Sequence, residues 1–273
     1  MRCKGLSSRW LLLLVAVCCA AGTVRGQEEV KELRVCADPA NLPFSNQKLE
    51  GFENKIAALL AQDMGIPLTY FWWPHQRGLV RSFLNTGQCD VLISIPTGYD
   101  PVLWTKPYYR TGYVIASLKE RNIAVTALDD PLLRRLTIGV HVNTPPHDVL
   151  AEHGILGSQV VTYDLFYDSR IHPEDYPGHI LEDLLAGKMD VAIVWGPIAG
   201  YFMQKRSAPL TLTPLQGGEG GIPFTFAMSV GVRKNEKELK TRLEASLDRQ
   251  QAEVQKILTE YGVPLLPVSE KGS

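Results

Sequence analysis

The sequence predicts an α/β protein of two similar lobes, each a mainly parallel sheet flanked by helices. Three observations carry that expectation. Short β-prone runs alternate with amphipathic helical segments along most of residues 33–261. The pattern Gly-x-x-Asp-Val occurs twice, as Gly87-Gln-Cys-Asp90-Val91 and as Gly187-Lys-Met-Asp190-Val191, 100 residues apart. Each copy opens a run that is apolar on both faces, as in a strand buried within a parallel sheet.

The elements follow in chain order. Leu33 to Ala37 is a strand, and Pro39 and Pro43 mark the loop after it. Ile56, Leu59, Leu60 and Met64 recur at helical spacing, so a helix runs from about Asn54 to Met64 and stops at Gly65. Leu68 to Trp72 is β-prone, with aromatics at 70–73. Gln76 to Asn85 is predicted as a second helix closed by Gly87, and Asp90 to Ile95 as a strand. The middle repeats the theme: strand 136–140, a helix opening at Pro145-Pro146, strand 160–163, helix 180–186 with Gly187 as its stop, and strand 190–194. A helix follows Trp195. Gly217, Gly218, Gly220 and Gly221 then read as a flexible connection into strand 224–232. Leu239, Leu243, Leu247, Val254, Ile257 and Leu258 give the last helical region, 236–261, a buried stripe, and Asp248 to Gln251 marks a bend in it.

The beginning of the chain is a targeting segment. Arg2, Lys4 and Arg9 precede twelve apolar residues from Trp10 to Ala21, and Val24-Arg25-Gly26 supplies a small-x-small cleavage site. That is the pattern of a secretory signal peptide over residues 1–26, and the run is too short for a spanning helix. Cleavage near Gly26 leaves 247 residues with a net charge of −5 and two cysteines, Cys36 and Cys89, and no segment for membrane insertion. An oxidising compartment invites a disulfide between them. They lie at opposite ends of their predicted parallel strands, however, which would hold them about 10 Å apart, so the pairing stays open.

Composition removes several classes. A whole-chain net charge of −1 gives no nucleic-acid footprint. His141, His147 and His153 recur every six residues, which puts them on no single helical face, and no paired Cys ligands exist, so no metal site is predicted. No Gly-x-Ser-x-Gly elbow or P-loop is present. Glu53, Asp100 and Asp164 are the acids that could meet in a cleft, and nothing distinguishes them from solvated acids. No catalytic residue is assigned.

The order of motifs resembles the type II periplasmic solute-binding proteins, family 3, in their amino-acid-receptor branch: Leu33-Arg-Val, Gly51-Phe-Glu, Gly87-x-x-Asp90-Val, Pro107-Tyr-Tyr109, Gly187-x-x-Asp190 and Val230-Gly-Val-Arg-Lys234. The resemblance implies two lobes joined by two crossover strands as hinge. Lobe one would be residues 31–115 plus 229–267 and lobe two residues 116–228, with the crossings near Ile115–Leu118 and Phe226–Ser229. It also implies an Arg after the first Asp-Val strand for a ligand carboxylate and an Asp after the second for an ammonium. Here those places hold Asp100 and Trp195, so a free amino acid is a poor ligand.

A narrower resemblance rests on Val35-Cys-Ala-Asp-Pro39, Asn41-Leu-Pro-Phe-Ser45, Gly51-Phe-Glu-Asn54, Phe71-Trp-Trp-Pro74 and Thr105-Lys-Pro-Tyr-Tyr-Arg110. These are similar to the quinoprotein-dehydrogenase-associated binding proteins of MoxJ and XoxJ type. That resemblance implies a periplasmic, non-enzymatic accessory protein whose partner is a methanol or alcohol dehydrogenase dependent on pyrroloquinoline quinone (PQQ), with no cofactor of its own. A transporter receptor for a small molecule is the alternative, and PQQ itself as ligand stays open.

Candidate cleft residues sit after strand C-termini or at helix starts, where ligands of open α/β sheets bind. In lobe one they are Asp38, Asn41, Phe44, Glu53, Trp73 and Thr97. In lobe two they are Asn143, Thr144, Tyr167 and Trp195. Trp73 is preferred to Trp72 because adjacent strand residues face opposite ways. Thr144 reads as the cap of the helix at Pro145. Arg77, Arg81 and Arg110 read as solvated or locally paired surface cations, with binding of a carboxylate-rich ligand such as a quinone cofactor as the alternative.

Overall fold

The computed structural model describes residues 31–74, 76–165, 168, 171 and 176–267. The signal-peptide expectation, residues 1–26, lies outside the described residues. Chain order runs β1 (Leu33–Ala37), β2 (Ala40–Asn41), β3 (Ser45–Asn46), α1 (Phe52–Met64), β4 (Leu68–Trp72), β5 (Val91–Pro96), β6 (Leu103–Trp104), β7 (Tyr109–Leu118), β8 (Ile138–His141), α2 (Pro145–Glu152) and β9 (Val160–Tyr163). It continues through α3 (His179–Leu185), β10 (Val191–Trp195), α4 (Gly196–Lys205), β11 (Leu210–Pro214), β12 (Gly218–Glu219), β13 (Ile222–Pro223), β14 (Thr225–Val232), α5 (Lys237–Arg249) and α6 (Gln251–Glu260). No helix among the described residues is long and apolar enough to cross a membrane.

One mixed sheet in the order β4-β1-β5-β14-β7-β10-β8-β9 links the two halves. At one end β1 runs parallel to β4 and β5, with Val35 opposite both Tyr70 and Val91. At the other end β8 runs parallel to β10 and β9. The antiparallel strands β7 and β14 join the ends. Tyr109–Gly112 of β7 pair with β14, and from Tyr113 onward β7 pairs with β10 and, to Leu118, with β11. β14 pairs with β7 over Thr225–Met228 and with β5 from Met228 to Val232. Helices α1, α5 and α6 cover the first end through Phe52, Ile56, Leu60, Leu243 and Leu258, all fully buried. The second end has cores on both faces, one around Ile138, Val149 and Ile193 and one around Ile180, Val194 and Phe202.

The repeated Gly-x-x-Asp-Val motif does the same structural work in both ends. The Asp90 carboxylate accepts from the backbone N–H of Arg34, and that of Asp190 from the backbone N–H of Thr137, each just before the neighbouring parallel strand or at its start. Asp90 also accepts from the guanidinium groups of Arg34 and Arg233. Burial would raise its pKa, but these charged hydrogen bonds outweigh burial and hold it below the usual carboxylate value.

Two expectations need correction, and one open pairing is resolved. The helix over 76–85 is only a π-helical turn, Val80–Leu84, because Gly78 at φ +90° cannot continue a helix. The glycine run is not a flexible connection. It is the β12–β13 hairpin turning at Gly220-Gly221, held by a hydrogen bond between Glu219 and His153 at the end of α2. Cys36 and Cys89 form a disulfide, with Cα atoms 5.3 Å apart. Strand rise is the wrong ruler here, because β5 begins only at Val91 and Cys89 lies in the turn before it, packed with Cys36 against Leu79, Val80 and Leu84.

Candidate binding cleft

The C-terminal ends of β1 and β5 and the start of α1 bring a polar group together. Ser94 lies within β5 at φ +57°, beside a shift of the β5–β14 register, so a β-bulge turns its side chain out of line. Its hydroxyl is 2.8 Å from the Tyr108 hydroxyl and also hydrogen-bonds the Glu53 carboxyl at the start of α1. Burial pushes Glu53 up to about 8. The Ser94 hydrogen bond opposes that rise, and the like charge of Asp38 adds to it. Glu53 is therefore a neutral acid, able to donate a hydrogen bond, at neutral pH. Burial also raises the Tyr108 hydroxyl well above its ordinary value.

Asp38 is fixed by its own loop: its backbone N–H donates to Ser45 Oγ, and its carboxylate accepts from the Ala40 N–H. Asn41 Oδ1 is buried without a hydrogen-bond partner among the described residues. Thr97 Oγ1 is 2.7 Å from Ser229 Oγ, where β5 meets β14. Asp38, Glu53, Ser94 and Tyr108 thus belong to one neighbourhood. Trp73 lies half-buried against Phe83, ring centroids 4.6 Å apart, over the disulfide cluster. Trp72 stacks on Tyr70 on the other face of the sheet.

Aromatic side chains span the space between the two ends. Trp195, at the end of β10, packs against the core of the first end and both cores of the second. Its ring lies 5.1 Å from Tyr113 and 5.8 Å from Phe226. Phe44 packs on Phe52 at 5.3 Å and also reaches the α3–α4 core of the second end. Burial raises the Tyr113 hydroxyl, and burial holds His141 down at about 4 despite a hydrogen bond to the Pro177 carbonyl.

Thr144 holds the N-cap position of α2 but does not cap with its side chain; its hydroxyl donates back to the His141 carbonyl at 2.7 Å. Pro145 and Pro146 also offer no N–H at the first turn, so this helix start has little with which to hold an anion. Asn143 is an exposed loop residue at φ +57°. Tyr167 lies outside the described residues. No group of three or more potential metal ligands occurs among the described residues. Sequence reasoning missed Ser94 and Phe226. A serine inside an apolar run carries no sign of positive φ, and Phe226 looks like any strand aromatic.

Two α/β ends joined by a pair of antiparallel strands, with polar and aromatic groups gathered at the strand C-termini, define a two-lobed binding protein. The chain belongs to the bacterial extracellular solute-binding proteins, family 3, whose profile matches residues 33–264. Protein MoxJ of Methylorubrum extorquens AM1 is 30% identical, over 95% of this chain and 93% of its own length. The crystal structure of the periplasmic binding protein XoxJ from Methylobacterium extorquens AM1 superposes with a TM-score of 0.71 at 36% identity, covering 86% of this chain and 99% of that one. MxaJ from Methlophaga aminisulfidivorans MPT gives 0.73 at 26% identity, covering 86% and 100%.

Proposed function

We propose that this chain is a periplasmic, non-enzymatic accessory protein that binds a PQQ-dependent methanol or alcohol dehydrogenase and assists its maturation or activation. It reaches the periplasm through residues 1–26 as a cleaved signal. The observation that carries the reading is likeness along nearly the whole chain to XoxJ and MoxJ. Trp195 supports it from the chemistry side. A large apolar ring that packs on three cores is a poor substitute for an ammonium-binding carboxylate, and a buried zwitterion there would lack a counter-charge. The cleft residues of both lobes then serve to hold the lobes together or to meet a protein partner.

The test is deletion of the gene in its host, followed by measurement of dehydrogenase activity per dehydrogenase polypeptide. The reading expects polypeptide that is present but inactive, with activity restored by the wild-type gene. Unchanged specific activity would overturn it. One observation favours a second reading, a receptor for a small molecule or for PQQ: the Asn41 carbonyl oxygen is buried without a partner, near the half-buried Glu53 at the start of α1. A rise in melting temperature with one small molecule, in the absence of any dehydrogenase, would favour that reading through linkage.

A further inference from the structure

We infer that residues 261–266, the segment leaving α6, act as a strap across the hinge that holds the two lobes at one fixed angle. Lobe motion in a protein of this shape needs β7 and β14 to bend along the stretch they share, where β7 changes partner after Gly112 and β14 changes partner at Met228. The strap is bonded to that point from one side. Thr111, fully buried, donates its hydroxyl to the Pro264 carbonyl at 2.8 Å, and the Leu266 N–H donates to the Arg110 carbonyl at 2.9 Å. Val263, between them and α6, is buried in the core of lobe one, so the strap moves with that lobe.

From the other side the strap is pressed against lobe two. Helix α4 follows β10 and contributes Ile198, Ala199 and Phe202 to a lobe-two core. Its opposite face carries Gly196 and Gly200. A Cβ on Gly200 would stand 1.8 Å from the Gly262 carbonyl oxygen, and one on Gly262 would stand 2.4 Å from the Gly200 carbonyl oxygen. A Cβ on Gly196 would stand 2.5 Å from the Gly112 carbonyl oxygen and 3.1 Å from the Pro264 ring. The helix, the crossing point and the strap therefore meet backbone to backbone, closer than any side-chain contact permits. Tyr201 of α4 stacks on Tyr261, 6.2 Å between centroids, and the Lys205 ammonium lies 5.0 Å over the same Tyr261 ring. Rotation of the lobes about β7 and β14 would have to break these contacts together. Packed interfaces of this kind hold one arrangement rather than deform continuously.

The inference is independent of which partner or ligand the cleft takes. The test replaces two exposed serines by cysteine, Ser82→Cys in lobe one and Ser158→Cys in lobe two, attaches a nitroxide to each thiol, and reads their separation by pulsed dipolar spectroscopy. Wild-type protein should give one narrow distance. Gly200→Ala, which forces α4 off the strap, should shift that distance or broaden its distribution by about twofold while unfolding stays cooperative. If Gly200→Ala does not fold, the double variant Thr111→Val/Leu266→Pro decides, since it removes both strap hydrogen bonds and leaves the glycine contacts alone. A broad wild-type distribution, or a folded variant as narrow and unshifted as wild type, would overturn the strap.

Discussion

Replacing Glu53 by Gln should make the protein more stable at neutral and alkaline pH, although it removes an ionisable group at a candidate site. In the folded protein the carboxyl is held up at about 8 by burial, with Ser94 opposing and Asp38 reinforcing, against 4.5 for the free side chain. The folded state therefore binds this proton more tightly than the unfolded chain does. The stability it contributes is fully present below about pH 4.5 and is lost as pH rises to about 8, where no further change follows. The slope over that window is about 1.4 kcal/mol per pH unit. It amounts to about 3 kcal/mol at pH 7 and about 5 kcal/mol across the whole window, on the order of half the stability of an ordinary domain. Gln keeps the shape and the acceptor for Ser94 and cannot ionise. The assay is urea unfolding of both proteins at a series of pH values, read by tryptophan fluorescence. The variant-minus-wild-type difference should be near zero at the acid end and grow steadily with pH. A difference that stays flat across the window would refute the claim that burial sets the ionisation of Glu53.

Other perturbations test other parts of the architecture. Removing the disulfide with Cys36→Ala/Cys89→Ala releases a loop spanning a sequence separation of 53 residues, which should lower stability by about 4 kcal/mol in denaturant titrations. Asp90→Ala leaves Arg34 and Arg233 without their shared carboxylate and should cost about 3 kcal/mol, seen as a lower urea midpoint. Trp195→Ala should cost about 4 kcal/mol, because no single neighbour can fill a space that touches three cores; calorimetry would show the loss as a lower melting temperature.

The fold was legible where physical signals are local and repeated. Strands apolar on both faces, helices ended by glycine and two equivalent aspartates at strand starts each leave a trace in the order of residue types. The aspartates show why such traces can be read correctly for structure yet say little about function. Asp90 and Asp190 accept backbone N–H groups beside their strands, so their recurrence marks a duplicated frame rather than a duplicated site. What the sequence left open or misled on has the opposite cause. Whether Cys89 meets Cys36 depends on where the chain turns before β5, and whether 76–85 is one helix depends on the dihedral angle of Gly78. Neither is fixed by periodicity. The candidate site was legible only as a set of candidate positions for the same reason. Asp38, Phe44, Glu53 and Trp195 could be placed by their position after strands or at helix starts, whereas Ser94 becomes a site residue only through a bulge that the run Val-Leu-Ile-Ser-Ile does not announce.

What Trp195 does to the balance of forces in the cleft follows from that placement. A two-lobed protein that closes on a charged solute gains its closing energy from charged hydrogen bonds, which exist only when the solute is there. Here the contacts between lobes are made by Trp195, Phe44 and Phe226, by the Tyr201–Tyr261 stack, and by the backbone contact of Gly200 with Gly262. All of them are present in the protein by itself. A ligand that must bring its own closing energy has less to supply, because these rings are already partly buried against both lobes. A molecule with this balance is better matched to presenting one stable surface than to switching between open and closed forms. That is a property a protein partner can use directly, and it gives the accessory reading and the strap a common physical basis.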